Sequence, residues 1–130
     1  MTFVSFASGS SGNCYLLTEG RAAVLLDTGI SLRRIKTGLA RRALTPDDLS
    51  AVLITHEHSD HVAGLPMLLK YYKNVKVYAP QTVAHALERA AAGLEGRIVP
   101  IPVGESVALK NFTLTAFPTM HDTPESVGYV

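Results

Sequence analysis

Three of the chain's five histidines fall within six residues, HEHSDH, from His56 to His61, directly after the apolar run AVLIT. In an extended segment, side chains at i and i+2 share a side, so His56 and His58 can converge on one ion while Glu57 and Ser59 point elsewhere. With a helix beginning at His61, Asp60 and His61 sit at its first turn, turned away from the first pair and able to serve a second ion. Imidazole and carboxylate donors in this mixture suit Zn²⁺ best, with Mn²⁺ and Fe²⁺ as other fits. The plainer reading makes Asp60 a helix cap and the histidines loop residues. It is the weaker one, because crowded imidazoles repel when protonated and waste apolar volume when neutral, and a metal resolves both problems.

An ion held by His56 and His58 needs at least one further protein ligand. His121, in FPTMHDTPESVGY, is the better of the two remaining histidines because it follows a strand, FTLTAF, in a short polar loop. His85 lies within AHALERAAA, mid-helix among alanines, and reads as an ordinary helix-surface or core histidine.

The elements that must position these residues alternate. Thr2 to Phe6 reads as a strand entering the glycine and serine turn ASGSSGN, which by itself is a plain turn. Asn13 to Thr18 and Arg21 to Asp27 form a hairpin around Glu19 and Gly20, and TGIS makes a loop. Ser31 caps a helix running to about Ala43, and Pro46 suits the first position of a short turn. Ala51 to Thr55 is nearly all apolar, as a strand covered on both faces should be, and delivers His56 at its carboxyl end. A helix over His61 to Tyr72, a strand over Val75 to Ala79 and a helix over Gln81 to Ala92 follow. RIVPIPV, SVALKNFTLTAF and SVGYV are then successive strand candidates without helices between them. The pattern is a layered α/β arrangement with helices outside a sheet.

With 130 residues, 47% of them hydrophobic and 18% charged, the chain suits one compact unit or a piece of one. Twelve Lys and Arg against eleven Asp and Glu give a formal charge of +1, so no global field draws it to nucleic acid or membrane. Any basic surface must be local, and SLRRIKTGLARR is the best candidate, although its first reading is a solvated helix face with Leu32, Ile35 and Leu39 turned to the core. Cys14 is the only cysteine, which excludes an internal disulfide and an all-cysteine zinc site and suits a reducing cytoplasm. No signal peptide or membrane anchor is expected.

LLDTG, LITHEHSDHVAGL and PTMHD, in that order, resemble three motifs of the metallo-β-lactamase fold superfamily, HxHxDH being the most specific. The resemblance runs across essentially the whole chain and implies an αββα sandwich with a dinuclear metal site at the sheet edges. FASGSSGNCYLL, followed by LLDTGIS and THEHSDHVAGL, further looks like the YycJ or WalJ branch of bacterial metallo-hydrolases, which is linked to DNA exonuclease activity.

Carried over by position, the resemblance implies that His56, His58 and His121 hold the first ion and that Asp60 and His61 belong to the second ion's set. Asp60 would also accept a hydrogen bond or proton from the attacking water, and Asp27 would be a buried aspartate orienting the ligand loop through hydrogen bonds. The superfamily's bridging aspartate and its final histidine, both from a carboxyl-terminal half, have no counterpart; Asp122 does not take the bridging role.

Residues 1–130 therefore read as the N-terminal αβ half of the sandwich, with one apolar sheet face uncovered. Either the missing C-terminal half or self-association would meet that demand. The expected activity of the complete protein is a metal-dependent phosphodiesterase, a DNA exonuclease using water activated at two Zn²⁺ ions. A thioester or lactam hydrolase is the alternative within the fold, and a metal-binding half-domain without catalysis is the alternative outside enzymes.

Overall fold

The computed structural model describes residues 2–9, 12–20, 22–55, 62–90, 96–102, 105–109, 112–118 and 127–129. Six strands make one sheet in sequential order: β1 (Thr2–Ala7), β2 (Cys14–Glu19), β3 (Ala22–Leu26), β4 (Leu49–Leu53), β5 (Val77–Pro80) and β6 (Ile98–Ile101). The first three are antiparallel neighbours, and the hairpin predicted around Glu19 and Gly20 pairs Glu19 with Ala22. From β3 onward every pairing is parallel. Parallel neighbours need crossovers, and these are α1 (Leu32–Ala40), α2 (Leu65–Tyr71) and α3 (Gln81–Ala90). A second sheet of three antiparallel strands follows, β7 (Ser106–Leu109), β8 (Phe112–Pro118) and β9 (Val127–Tyr129).

Strands that add in sequence order through crossovers of one hand bring all their helices to one face. The core shows this. Ile35 and Leu39 from α1, Leu65, Leu68 and Leu69 from α2, and Val83, Ala84 and Leu87 from α3 pack with Leu16, Leu25, Val52, Ile54 and Val77 of the sheet in one buried cluster. Alternate strand residues point the other way, where Val24, Ala51, Leu53, Tyr78 and Ile101 form a second cluster. All five are at most 7% exposed. For the six-stranded sheet this corrects the expectation of an uncovered apolar face: among the described residues its centre is buried within this chain, while marginal residues such as Phe3 and Val99 are open to solvent.

Several boundaries differ from the sequence reading: β4 spans Leu49–Leu53 rather than Ala51 to Thr55, so it ends before Thr55, and β5 spans Val77–Pro80 rather than Val75 to Ala79. The helix capped by Ser31, whose hydroxyl accepts from the Arg34 N–H, ends at Ala40 and not at Ala43. Ala43 has turned to a φ of 59°, and the N–H groups of Ala43 and Leu44 return to the carbonyls of Ala40 and Leu39, closing a Schellman motif. The start of the helix expected from His61 lies outside the described residues; Val62 is helical, and after a turn at Ala63 and Gly64 the helix runs over Leu65–Tyr71. The first of the three successive strand candidates, β6, extends the parallel sheet and carries Pro100 on an edge strand where a missing N–H is tolerated.

Arg97, just before β6, reaches back across α2. Its guanidinium donates to the carbonyls of Leu69 at 2.9 Å and Tyr72 at 3.2 Å, satisfying acceptors that the end of a helix leaves open. No helix among the described residues is long and apolar enough to cross a membrane.

Candidate metal centre

His56, His58, Asp60, His61 and His121 lie outside the described residues, so the structure speaks to what holds the segment 56–61 at its two ends. One loop, the one that follows β3, contacts the residues on both sides of that segment. Asp27, Thr28, Gly29 and Ile30 follow β3 and are all buried. Because β3 and β4 are parallel and paired through Leu26 and Leu53, their carboxyl ends lie side by side, and the Asp27 N–H continues the ladder to the Leu53 carbonyl at 2.7 Å.

Asp27 sits in the left-handed region with φ 60°, a conformation short polar side chains tolerate better than most. That turn directs its carboxylate to Thr55, the residue preceding His56. One oxygen accepts from the Thr55 backbone N–H at 2.8 Å and the other from the Thr55 hydroxyl at 2.7 Å. Asp27 is 3% exposed and Thr55 half-buried, so these bonds are partly shielded from solvent, which strengthens charge-assisted hydrogen bonds.

Beyond the segment, Gly64 meets Thr28 and Ile30 of the same loop. The Gly64 N–H donates to the Thr28 carbonyl at 2.7 Å. A Cβ on Gly64 would collide with the Ile30 carbonyl, so only glycine permits this approach. Thr55 and Gly64 thus bracket residues 56–61, and a single loop grips both.

The serine and glycine turn after β1 supports that loop from behind. Asn13 closes the turn by accepting from the Gly9 N–H at 3.1 Å and donating its amide to the Gly9 carbonyl at 2.9 Å. Its backbone carbonyl accepts from the Gly29 N–H at 2.8 Å. Gly12 has φ 147°, and a Cβ there would stand 2.6 Å from the Gly29 oxygen. SGSSGN is therefore more than a plain turn: the backbone of Gly12 and Asn13 packs directly on the loop that holds Thr55 and Gly64. Beside it, the Cys14 thiol is fully buried, and burial, with the negative charge of Asp27 adding, pushes it up to about 12.

Of the residues singled out from the sequence, Asp27 is buried after β3 and bonded to Thr55, and His85 is exposed on α3, as a helix-surface histidine should be. Thr55, Thr28 and Gly64 were given no role in the sequence reading. A hydroxyl residue immediately before the first histidine was the available signal for Thr55; the backbone contacts of Thr28 and Gly64 left none.

Over residues 7–129 the sequence matches the family described as the metallo-beta-lactamase superfamily. The chain belongs to that superfamily. Among relatives in which function is assigned, it is 42% identical over 84 residues to exodeoxyribonuclease WalJ of Streptococcus pneumoniae, covering 65% of this chain and 31% of that protein. It is 30% identical over 129 residues to exodeoxyribonuclease YycJ of Bacillus anthracis, covering 98% of this chain and 48% of the relative. A hydroxyacylglutathione hydrolase of Pectobacterium carotovorum is 34% identical over 82 residues, 63% of this chain and 28% of its own length. The chain thus spans less than half the length of each of these relatives. Among solved metallo-β-lactamase structures, SMB-1 in complex with mercaptoacetic acid superposes with a TM-score of 0.76 at 18% identity, over 98% of this chain and 53% of that one, which establishes the shared fold.

The metallo-β-lactamase fold implies a divalent cation, and this chain's residues fit one. The donors of HEHSDH are imidazole and carboxylate, and the flanking residues Thr55 and Gly64 are held by hydrogen bonds to Asp27 and Thr28, of the kind that orient metal ligands.

Proposed function

We propose that this chain is the N-terminal part of a metal-dependent phosphodiesterase acting on DNA as an exonuclease. The observation that carries the metal-hydrolase reading is the grip of Asp27 on Thr55 at the head of HEHSDH. The choice of DNA is supported by likeness to an exodeoxyribonuclease along 98% of the chain.

His56, His58 and His121 would hold one Zn²⁺, and Asp60 and His61 would contribute to holding a second, with Mn²⁺ or Fe²⁺ as substitutes. Such ions, when bound, supply Lewis acidity that lowers the pKa of water toward about 7 and steadies a leaving oxygen. The chain's own part is positional and acid–base. Asp60 orients the attacking water and accepts its proton, and Asp27, through Thr55, holds the segment in place for that transfer. The remaining ligands of the second ion come from a C-terminal part or from a second copy of the chain. The setting is cytoplasmic, which suits a buried reduced Cys14.

Hydrolysis of a thioester is the second reading, favoured by the 34% identity to a hydroxyacylglutathione hydrolase. The test measures metal content of the purified chain, then hydrolysis of end-labelled DNA and of an acyl-glutathione thioester. DNA hydrolysis abolished by both His58→Ala and Asp60→Asn is the expected result. Turnover of the thioester alone would replace the reading with the second one. At most one ion per chain and no turnover of either would leave a metal-binding half-domain.

A further inference from the structure

The most strongly charged feature of the described residues stands apart from the ligand segment. Residues 33–42 hold five of the chain's 12 Lys and Arg, and no acidic residue occurs from Thr28 to Pro46. Four of the five, Arg33, Arg34, Arg41 and Arg42, line a groove of about 820 Å³ between α1 and the edge strand β1, with no acidic side chain in its lining. The fifth, Lys36, is not part of it.

The sequence spacing builds this groove. Arg33, Thr37 and Arg41 form one row at i, i+4, i+8, and Arg34, Gly38 and Arg42 form the adjacent row. At the middle turn Gly38 lets the Phe6 ring approach so closely that a Cβ would stand 2.8 Å from it. The helix is thereby seated low against β1, with a pair of arginines one turn before the contact and a pair one turn after. Arg33 and Arg41 are eight residues apart, or roughly 12 Å along a helix. That spans roughly three to four phosphates of one DNA strand at about 3.4 Å per charge along the axis.

We infer that this groove is a docking track for the phosphate backbone of a DNA strand, an inference that rests on the nuclease reading and names how that substrate is held. Guanidinium groups suit phosphate through paired hydrogen bonds, and all four lining cations are arginine. Ile30 ties the groove to the candidate site: it lines the groove, and its carbonyl lies against Gly64, the residue that closes the ligand segment. A membrane surface fits less well. A helix that lies in a bilayer must offer its apolar face, and Ile35 and Leu39 of α1 are fully buried in the core.

The test is fluorescence anisotropy of a labelled 20-nucleotide single strand with the 130-residue chain in EDTA, across a salt series, with thermal unfolding checked for each variant. Changing Arg33, Arg34, Arg41 and Arg42 to Gln should weaken binding at least 10-fold and flatten the slope of log K against log salt by about 2, as loss of roughly three contacts requires. Changing the exposed Lys70, Lys73, Lys76 and Arg89 to Gln removes the same charge elsewhere and should weaken binding less than 3-fold. Equal losses in the two variants, no DNA binding by the unaltered chain, or arginine-dependent binding only to phosphatidylglycerol vesicles would each overturn the inference. DNA bound through the four arginines but not hydrolysed when divalent ions and the C-terminal part are both supplied would defeat the nuclease reading and leave the track standing.

Discussion

Both carboxylate oxygens of Asp27 are bonded to Thr55, one to its backbone N–H at 2.8 Å and one to its hydroxyl at 2.7 Å, across 28 residues of sequence. Asn at position 27 can accept with only one of its two side-chain atoms and turns a donor toward one of the Thr55 donors. Asp27→Asn should therefore lower stability by about 1–3 kcal/mol in urea unfolding. Its zinc affinity should fall by roughly 10–100-fold in calorimetric titration. Thr55→Val removes the hydroxyl bond and keeps the backbone one, so its losses should be smaller on both measurements.

Two glycines separate steric need from conformational need. Gly64 leaves no room for a Cβ beside the Ile30 carbonyl, whereas Gly9, at φ 107°, has nothing within 4 Å of that position. Gly64→Ala must shift the Thr28–Ile30 loop and should cost more than about 2 kcal/mol. Gly9→Ala meets only backbone strain and should cost about 1–2 kcal/mol. Thermal unfolding of the two variants side by side checks the order.

Removing the Arg97 guanidinium exposes the unsatisfied end of α2. Arg97→Ala should destabilise by about 1–3 kcal/mol. Hydrogen exchange should quicken first at the N–H groups of the last turn of α2, including that of Tyr72, which bonds the Leu68 carbonyl at 2.9 Å. Arg97→Lys can reach one carbonyl but not several, and should recover only part of the loss.

Cys14 makes stability depend on alkaline pH. Its thiol ionises near 9 when unfolded and only near 12 when buried, so between those values the unfolded chain has released a proton that the native chain retains. Stability should fall as pH rises through that window, by up to about 1.4 kcal/mol per pH unit from this group. Urea unfolding at pH 8 and at pH 10.5 should show a smaller drop for Cys14→Ala than for the unaltered chain. The difference between the two proteins isolates the thiol from lysines and tyrosines that titrate in the same range.

Residue periodicity announced those elements whose burial repeats with a helix or strand period. The apolar run before His56 was legible as a strand covered on both faces, and Ser31 as a cap, because each depends on neighbours in sequence. Features that depend on distant backbone were not. The partner of β6 is set by the sheet it meets rather than by its own residues; the left-handed turn at Ala43 is closed by local bonds, but in a residue type that gives no sign of it. At the candidate site, donor chemistry was visible in HEHSDH. Its support was not, because the Thr28 to Gly64 and Asn13 to Gly29 bonds are made by main-chain atoms common to every residue.

The Asp27–Thr55 and Thr28–Gly64 contacts also set an order of events during folding. Neither can form until α1 has crossed over and β4 has docked beside β3, since each joins chain segments separated by that whole unit. Helix turns and the β2–β3 hairpin close short loops and come first; these longer closures come late. Interactions made late leave the folding rate nearly untouched and act on the rate of opening. The grip on the ligand segment is thus a latch in kinetic terms, governing how long the native edge stays shut rather than how fast it is reached.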